Sequence, residues 1–380
     1  MNPFEAELQQ RLATLREQNL FRELRRVDSA QGPRIEIGGK TFLNFSSNDY
    51  LCLANHPALK TAAIKAVEKF GAGAGASRLV CGSLAPFHGL EEALADFKKT
   101  EAALTFSTGY AAVIGTITAL CGKDDIIILD KLVHASIVDA AKLSGAKLRI
   151  FDHNDLNDLE DKLKWATTTA RHGSLVTRHV LIITESVFSM DGDCAPLREI
   201  VSLKEKYGAW LMVDEAHATG IIGPNGRGLA DELGVSNRIE IQLGTLGKAL
   251  GASGGYICGS RALVDFLVNR ARSFIFSTAP IPAAAAAALA GIQIVQSPDG
   301  KSLRTQLQQR IADFQSAIGN RQSAIPSAII PLILGDESAA IAAATNLRAQ
   351  NIFVPAIRFP TVARGAARLR VTLTAAHTAE

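Results

Sequence analysis

The stretch Trp210-Leu-Met-Val-Asp-Glu-Ala-His217 places an apolar run directly before two carboxylates and a histidine. Such a run is typical of a buried strand whose carboxyl end opens on solvent or on a ligand. Short β-rich runs flank it over residues 103–106, 125–130, 147–151, 179–184, 239–243 and 255–258. Stretches with apolar residues at helical spacing, such as 197–207, lie between these runs. The alternation predicts an α/β fold with a mostly parallel central sheet that helices cover on both faces.

The domain organisation follows from where this alternation stops. A chain of 380 residues is long enough for one large domain and one smaller domain. After about residue 280 the alternation gives way to long helical stretches and two β-like runs, over 328–333 and 367–373. We therefore expect an N-terminal helix and arm over 1–45, a large domain over 46–278 and a small α+β domain over 279–380.

The composition argues against several classes of protein. The net charge of +3 is spread along the chain without a basic block, which argues against nucleic acid as a partner. The five cysteines form no pair or His/Cys cluster at metal-ligand spacing, so we expect no metal site and a reduced, cytoplasmic setting. The N-terminus lacks the apolar core of a signal peptide, and the Ala-rich run over 279–290 is broken by proline. We therefore expect no membrane association.

The predicted sheet also indicates where a ligand binds, because ligands of such sheets lie beyond the carboxyl ends of the strands. Polar residues follow the predicted strand ends at 107–110, at His134, and at 186–191, 214–217 and 245–248. We expect all five groups to lie at one edge of the sheet.

Lys248 is the only charged side chain between residues 241 and 260. An arbitrary lysine is usually a solvated surface residue. This lysine, however, follows an apolar strand and is surrounded by Gly, Ala, Leu, Thr and Ser. A desolvated amine has a lowered pKa, which suits it to Schiff-base chemistry. By itself, Lys248 supports the surface interpretation and the functional one about equally.

Asp214 ends the strand in the quoted stretch. A carboxylate there could cap the following helix. It could equally pair with the protonated ring nitrogen of pyridoxal phosphate (PLP), an ion pair that makes this cofactor an effective electron sink. His217 follows three residues later and Lys248 about thirty residues on. The combination favours the cofactor and is more specific than any one of its members.

A phosphate site is predicted at the same edge. Thr245 precedes Lys248 by three residues, and Ser107-Thr-Gly-Tyr110 opens the predicted helix after the first strand of the large domain. Hydroxyls and free backbone N–H groups at a helix start form an anion site. Ordinary helix capping explains the same residues, and Ser-Thr-Gly alone is weak evidence.

Two glycine-rich stretches imitate other sites. Gly71-Ala-Gly-Ala-Gly75 follows a charged helical stretch instead of a strand, and it lacks the last glycine of the dinucleotide-binding pattern. Gly251-Ala-Ser-Gly-Gly255 matches the nucleophile elbow of serine hydrolases letter for letter. That elbow needs a helix after the serine, whereas a strand is predicted after Ser253.

Taken together, these residues resemble the α-oxoamine synthases, a family of fold-type I PLP enzymes whose fold is like that of aspartate aminotransferase. The likeness extends from about Leu20 to His377. The stretches that carry it are Asn44-Phe-Ser-Ser-Asn-Asp-Tyr-Leu51, Gly75-Ala-Ser-Arg78, His134-Ala-Ser136, Thr184-Glu-Ser-Val-Phe-Ser-Met-Asp-Gly-Asp193, Val213-Asp-Glu-Ala-His-Ala-Thr-Gly220, Gly244-Thr-Leu-Gly-Lys248, Phe276-Ser-Thr278, Ala356-Ile-Arg-Phe-Pro-Thr361 and Ala367-Arg-Leu-Arg370.

The resemblance implies a role for each matching residue. Lys248 would hold PLP as a Schiff base and later remove the α-proton of the amino acid; Asp214 would face the ring nitrogen, and His134 would stack on the ring. The other implied cofactor contacts are Ser189 and His217 at the phenolic oxygen, Gly109, Tyr110 and Thr245 at the phosphate, and Ser277 or Thr278 from the other subunit of a homodimer. The implied substrate contacts are Arg370 at the amino-acid carboxylate, Asn48, and Thr361 with Arg22 or Arg25 at the acyl group.

The resemblance also implies a reaction. The segment from Arg358 to Arg370 favours the branch of the family that serves biotin biosynthesis, in which L-alanine condenses with pimeloyl-CoA or pimeloyl-acyl carrier protein and CO₂ leaves. Three alternatives stay open at this point. They are a glycine- or serine-using relative such as glycine C-acetyltransferase, a PLP-fold protein that only binds, and a serine hydrolase acting through Ser253.

Overall fold

The computed structural model describes residues 2–171, 179–319 and 327–379. The N-terminal part begins with helix α1, whose first turn is capped by the Asn2 side chain. A hairpin follows, and its turn residues Gly38 and Gly39 both have positive φ (56° and 73°), as a two-residue hairpin turn requires. The elements of this part are α1 (Pro3–Glu17), β1 (Arg34–Ile37), β2 (Lys40–Asn44), α2 (Pro57–Phe70) and α3 (Ala85–Lys98).

The middle of the chain alternates strands and helices, as the sequence predicts. Helix α7 shows how local chemistry sets the bounds: it follows Pro196 and ends at Gly208, whose φ of 64° closes the helix. The elements are β3 (Ala102–Phe106), α4 (Gly109–Leu120), β4 (Ile126–Asp130), α5 (Ala135–Ser144), β5 (Lys147–Phe151), α6 (Leu156–Arg171), β6 (Val180–Glu185), α7 (Leu197–Tyr207), β7 (Trp210–Asp214), α8 (Leu229–Glu232), β8 (Ile241–Thr245), β9 (Gly255–Gly259), α9 (Arg261–Arg270) and α10 (Arg272–Ile275).

The seven strands form one sheet in the order β3-β9-β8-β7-β6-β4-β5. Strand β9 is antiparallel to both neighbours, and the other pairs are parallel. Successive side chains alternate between two hydrophobic cores, so that Ile126 and Ile128 pack on one face of the sheet and Ile127 and Leu129 on the other. Burial on both faces explains why these strands are continuous apolar runs.

The C-terminal part adds two small sheets. One has the order β10-β13-β12, and the other joins the N-terminal hairpin as β1-β2-β11. The elements are α11 (Pro282–Gln296), α12 (Pro298–Ala317), β10 (Ile329–Gly335), α13 (Glu337–Ala349), β11 (Ile352–Phe353), β12 (Ala356–Ile357) and β13 (Ala367–Thr372). The predicted α/β fold with a mostly parallel sheet and a smaller C-terminal sheet domain is therefore confirmed.

The largest displacement among the predicted strands of the large sheet is that of β8, which was expected over 239–243 and lies at Ile241–Thr245. Glu240 turns its side chain towards β7, where it accepts a hydrogen bond from the Leu211 amide at 2.8 Å and pairs with Lys204. The ladder therefore starts after Glu240. The Ala-rich run over 279–290 falls largely in α11, and none of the described helices is long and apolar enough to cross a membrane.

Candidate active site

Asp214 lies at the carboxyl end of β7, at the centre of the large sheet. One of its carboxylate oxygens accepts a hydrogen bond from the Ala216 amide at 2.9 Å. Burial raises the pKa of Asp214, and the positive charge of Lys248 opposes that rise. This buried carboxylate can therefore receive a cationic partner with little competition from water.

Lys248 reaches the same place from the loop after β8. Its Nζ lies 2.9 Å from Nε2 of His217. Burial lowers the pKa of Lys248, while the charges of Asp214 and Glu185 partly oppose that effect. The loop returns tightly at Gly251, where φ is +67° and a Cβ would come within 2.5 Å of the Leu53 backbone. Only glycine fits there without a shift, so the glycine-rich sequence around Lys248 has a geometric cause.

A chain of polar contacts connects Lys248 with Arg370. On the other side of the His217 ring, Nδ1 lies 2.6 Å from the hydroxyl of Tyr50. Oδ1 of Asn48 lies 3.3 Å from the Tyr50 hydroxyl and accepts a hydrogen bond from Arg370 at 3.2 Å. Burial, followed by the charge of Lys248, lowers the pKa of His217 well below its ordinary value. His217 is therefore a neutral ring between a phenol and an amine.

Glu185, at the end of β6, is a third carboxyl group in this region. Its Oε2 accepts a hydrogen bond from the Ser189 amide at 3.1 Å, while Oε1 is buried and has no hydrogen-bond partner within the described ranges. Burial and the charge of Asp214 raise its pKa well above the ordinary value. The proton is therefore held more readily by Glu185 than by an ordinary glutamate, since two like charges so close together disfavour joint ionisation.

Arg370 on β13 is buried and holds an open hydrogen-bond donor. Its Nε donates to the Ser189 carbonyl at 2.6 Å and its Nη1 to the Thr372 hydroxyl at 2.8 Å. Its Nη2 is buried without a hydrogen-bond partner in the part of the chain that the structure describes. A buried donor without a partner is costly, so this guanidinium is prepared for an anion such as a carboxylate.

His134 and the start of α4 complete the pocket. His134 caps α5, and its Nδ1 lies 2.8 Å from the Ser136 hydroxyl. Thr245 donates to the Gly254 carbonyl at 3.0 Å, and its side chain lies beside Gly109 at the first turn of α4. The first amides of a helix have no partner within the helix, so this end can hold a phosphate.

The pocket that these groups form is small and enclosed by the edge of the sheet. Its volume is about 100 Å³. Eight residues singled out in the sequence contribute to this region, seven of them in the pocket lining and Ser189 beside it: Gly109, Tyr110, His134, Ser189, Asp214, His217, Thr245 and Lys248. A desolvated amine, a buried carboxylate opposite it and a helix start beside a hydroxyl are the donor set that PLP needs, and the residues present fit that cofactor.

The remaining predicted residues lie elsewhere. Arg22 and Thr361 are brought together, with Nη2 of Arg22 donating to the Thr361 hydroxyl at 3.4 Å and to the Phe359 carbonyl at 3.3 Å. Ser277 and Thr278 do not line the pocket of this single chain, and Thr278 instead forms a backbone bridge with Ser77. Their action from another subunit stays a prediction.

Sequence reasoning missed Tyr50 and Glu185 as members of the site. Tyr50 stands inside the quoted stretch 44–51, but its contact with His217 spans 167 residues of chain. Glu185 directly follows the strand predicted over 179–184, which is the kind of position that identified Asp214. The same rule, applied to every strand end, would have found it.

Comparison with known proteins places the chain in a family. The model of the class I and II aminotransferases matches residues 40–380. The 8-amino-7-oxononanoate synthase of Geobacter sulfurreducens is 48% identical over 369 residues, which cover 96% of this chain and 92% of that protein. An enzyme of the same name from an Anaeromyxobacter species is 51% identical over 368 residues, covering 96% and 90% of the two chains.

Solved structures match the chain over most of its length. A serine palmitoyltransferase variant from S. paucimobilis with a bound PLP–myriocin adduct has a TM-score of 0.89 at 30% identity, covering 98% of this chain and 93% of that chain. The 8-amino-7-oxononanoate synthase of Francisella tularensis has a TM-score of 0.74 at 30% identity, covering 89% and 93%. The chain therefore belongs to the class I and II aminotransferase family and, within it, to the 8-amino-7-oxononanoate synthases.

Proposed function

We propose that the chain catalyses the PLP-dependent decarboxylative condensation of L-alanine with a pimeloyl thioester in biotin biosynthesis. The products are 8-amino-7-oxononanoate, CO₂ and the free thiol carrier. The observation that carries the proposal is Lys248 Nζ, 2.9 Å from a neutral His217 in the pocket that also contains Asp214. The names of relatives at about half identity over nearly the whole chain support the same reaction.

Each residue around the pocket would contact a different part of the cofactor. Lys248 is the amine to which PLP would attach, Asp214 the partner of its ring nitrogen, and His134 the ring that stacks on it. Thr245 and the first amides of α4 would hold its phosphate. When bound, PLP supplies an electron sink for the bond broken at the α-carbon of the amino acid.

Lys248 is suited to move the α-proton of alanine. Because its pKa is lowered, the amine of Lys248 loses its proton more readily at neutral pH than the amine of an ordinary lysine does. The amine is already in place when the substrate arrives, so no diffusion step precedes proton transfer. Nε2 of His217 lies within hydrogen-bonding distance and, being neutral, can either donate to the amine or accept from its protonated form.

Arg370 would bind the carboxylate of alanine through its open Nη2. This contact would orient the α-carbon towards Lys248, and Asn48 keeps the guanidinium in position. Arg22 and Thr361, which touch each other, would meet the pimeloyl group.

The setting of the enzyme is part of the proposal. We propose a homodimer with Ser277 or Thr278 reaching the phosphate of the other subunit, and a cytoplasmic protein that binds neither nucleic acid nor a metal. The acyl donor is pimeloyl-CoA or pimeloyl-acyl carrier protein. The domain bounds 1–45, 46–278 and 279–380 are retained on the same basis.

One observation favours a second candidate. The serine palmitoyltransferases align with TM-scores of 0.89 and 0.88, above the 0.74 of the F. tularensis synthase. A serine- or glycine-using synthase, including glycine C-acetyltransferase, is therefore the alternative to test.

The deciding experiment is a titration of the PLP-loaded protein with L-alanine, glycine and L-serine, followed by addition of pimeloyl-CoA and identification of the product by mass. L-Alanine should change the cofactor absorbance and yield 8-amino-7-oxononanoate. Lys248→Ala should lower turnover by about 10⁴-fold, whereas Lys164→Ala, a surface lysine, should leave it unchanged. Faster turnover of glycine with acetyl-CoA, or of serine, would overturn the assignment to alanine.

A further inference from the structure

A second cavity, of about 440 Å³, lies between the N-terminal arm, helix α13 and the segment around β11 and β12. Phe21, Arg22 and Arg25 contribute from the arm, and Arg348 from α13. We name this cavity the arginine cleft, after the four arginines 22, 25, 348 and 358 in its lining. Glu23 is the single acidic residue of that lining, so its formal charge is four minus one, or +3.

Two of these arginines have no neutralising partner. Arg25 forms no hydrogen bond or ion pair with any residue in the described ranges. Arg348 donates only to the Thr345 hydroxyl of its own helix, at 3.2 Å. Burial and the nearby charge of Arg25 lower the pKa of Arg348. Two guanidinium groups that repel each other are stabilised when an anion binds both.

The other two arginines build the wall. Arg358 donates to the backbone carbonyls of Asn19 and Phe21, and Arg22 donates to the Phe359 carbonyl and to Thr361. These contacts tie the arm to the 356–361 segment. The cleft therefore has a fixed shape on the side of Arg22 and Thr361, which are proposed to meet the pimeloyl group.

The arginine cleft is close to the pocket in the fold. Ala356 of its lining pairs with Leu369, the residue before Arg370 on β13. The cleft also has apolar walls, formed by side chains such as Phe21, Phe353 and Val354. Apolar walls beside paired guanidinium groups suit a ligand that combines phosphate with an uncharged arm or an aromatic base.

We propose that the arginine cleft binds the phosphate of the acyl carrier, with Arg25 and Arg348 as its ligands. This inference rests on the proposed function, because the substrate is taken to be a pimeloyl thioester. The arginine cleft would bind the phosphate of its carrier, which takes no part in the reaction. Coenzyme A and the phosphopantetheine arm of a carrier protein both bear such a phosphate. Binding energy from this remote part would hold the thioester at the pocket.

The test uses the PLP-loaded enzyme and the double variant Arg25→Gln/Arg348→Gln. Three thioesters are compared: pimeloyl-CoA, pimeloyl-phosphopantetheine and phosphate-free pimeloyl-pantetheine. Because Arg22, and not Arg25, contacts Thr361, we assign the acyl group to Arg22. The variant should therefore raise KM for pimeloyl-CoA at least about tenfold and leave KM for pimeloyl-pantetheine and the response to L-alanine unchanged. The matched control Arg238→Gln removes an exposed arginine paired with Glu205 and should change none of these values.

The two sources of phosphate give different outcomes. An equal rise in KM for pimeloyl-CoA and pimeloyl-phosphopantetheine supports a site for the phosphate shared by both carriers. A rise for pimeloyl-CoA alone supports a site for the nucleotide phosphates. An unchanged KM for both, or an equal rise for all three thioesters, overturns the phosphate site.

Calorimetry separates this inference from the proposed function. Adenosine 3′,5′-bisphosphate should bind the wild-type protein and should bind the double variant at least about tenfold more weakly. If no pimeloyl thioester is turned over at all, the proposed function fails. The bisphosphate titration then still decides the arginine cleft: binding lost in the double variant supports an anion site, and equal or absent binding in both proteins overturns it.

Discussion

Two adjacent carboxylates at the end of β7 have opposite surroundings. Glu215 faces the region behind the pocket, where its Oε2 binds Lys98 Nζ at 2.6 Å and its Oε1 accepts from the Ala230 amide at 2.9 Å. Asp214 faces the pocket, and its carboxylate accepts one hydrogen bond within the described ranges, from the Ala216 amide. Their surroundings show the same contrast. In the pocket region, Glu185 and Arg370 each have a buried polar atom without a hydrogen-bond partner among the described residues, whereas Lys98 and Glu215 have no such atom.

The difference separates structure from function. The Lys98–Glu215 pair is almost fully buried, so each charge depends on the other and their attraction fixes the turn that follows β7. Polar atoms in the pocket region lack hydrogen-bond partners in the described part of the protein because a bound molecule would supply them. Around the end of β7, the open groups of Glu185 and Arg370 therefore mark the binding side, and the saturated Lys98–Glu215 pair marks the supporting side.

The largest effect should come from breaking the support. Lys98→Met leaves the Glu215 carboxylate buried without its charged partner and should lower the free energy of unfolding by about 3–5 kcal/mol. Urea unfolding measures this change. The neighbouring Lys99→Met is the matched control, because its pair with Asp96 is exposed and should contribute less than about 1 kcal/mol. Similar losses in both variants would contradict the distinction between support and surface.

Changing the other carboxylate should spare the fold and damage the chemistry. Asp214→Asn should lower kcat by roughly 10²–10³-fold, since the charge facing the ring nitrogen is lost. Because burial raises the pKa of Asp214, its charged form is disfavoured in the folded state, and the variant should unfold at the same urea concentration or a higher one. Steady-state kinetics and urea unfolding on one preparation measure both quantities. A marked loss of stability would place Asp214 with the support.

A smaller effect is expected one contact away from Lys248. Tyr50→Phe removes the hydroxyl that lies 2.6 Å from Nδ1 of His217. The tautomer of His217 is then no longer fixed from that side, and kcat should fall by about tenfold with a displaced pH profile. The PLP absorbance measures cofactor binding, which should be retained. An unchanged pH profile would show that Tyr50 only fills space.

The smallest effect concerns His153, which stands between support and solvent. Its ring lies 3.0 Å from Asp130 and 2.7 Å from Asp193, and hydrogen bonds to both carboxylates raise its pKa to about 10 against the opposing effect of burial. A raised pKa in the folded state stabilises the protein below the unfolded pKa of about 6.5, and this contribution disappears as the pH rises through about 10. Solvent reaches the ring, so we expect only about 1 kcal/mol.

The measurement for His153 is urea unfolding at several pH values between 6 and 10. Wild type should lose its advantage over His153→Asn across that window. A constant difference between the two proteins would show that the charge of His153 contributes nothing and that only its shape matters.

These cases show which residues of the site could be predicted from the sequence. Asp214 and Lys248 follow apolar strands, so strand ends and the rule on ligand position placed them correctly at one edge of the sheet. Pairing over long chain distances could not be predicted in the same way. Nothing in residues 44–51 indicates that Tyr50 reaches His217.

The arginine cleft was out of reach for a further reason. Arg25 lies in an arm without regular secondary structure, and Arg348 lies on a helix near the other end of the chain. Neither periodicity nor a local motif connects them. Only the packing of the arm against the C-terminal part brings the two guanidinium groups together.

The contacts from Arg370 through Asn48, Tyr50 and His217 to Lys248 have a thermodynamic consequence. They connect a site for an anion with a site for a proton. If a carboxylate bound at Arg370 changes the proton affinity of Lys248, protonation of Lys248 must change the affinity for that carboxylate by the same factor. Amino-acid affinity measured as a function of pH would therefore give the coupling free energy between Arg370 and Lys248.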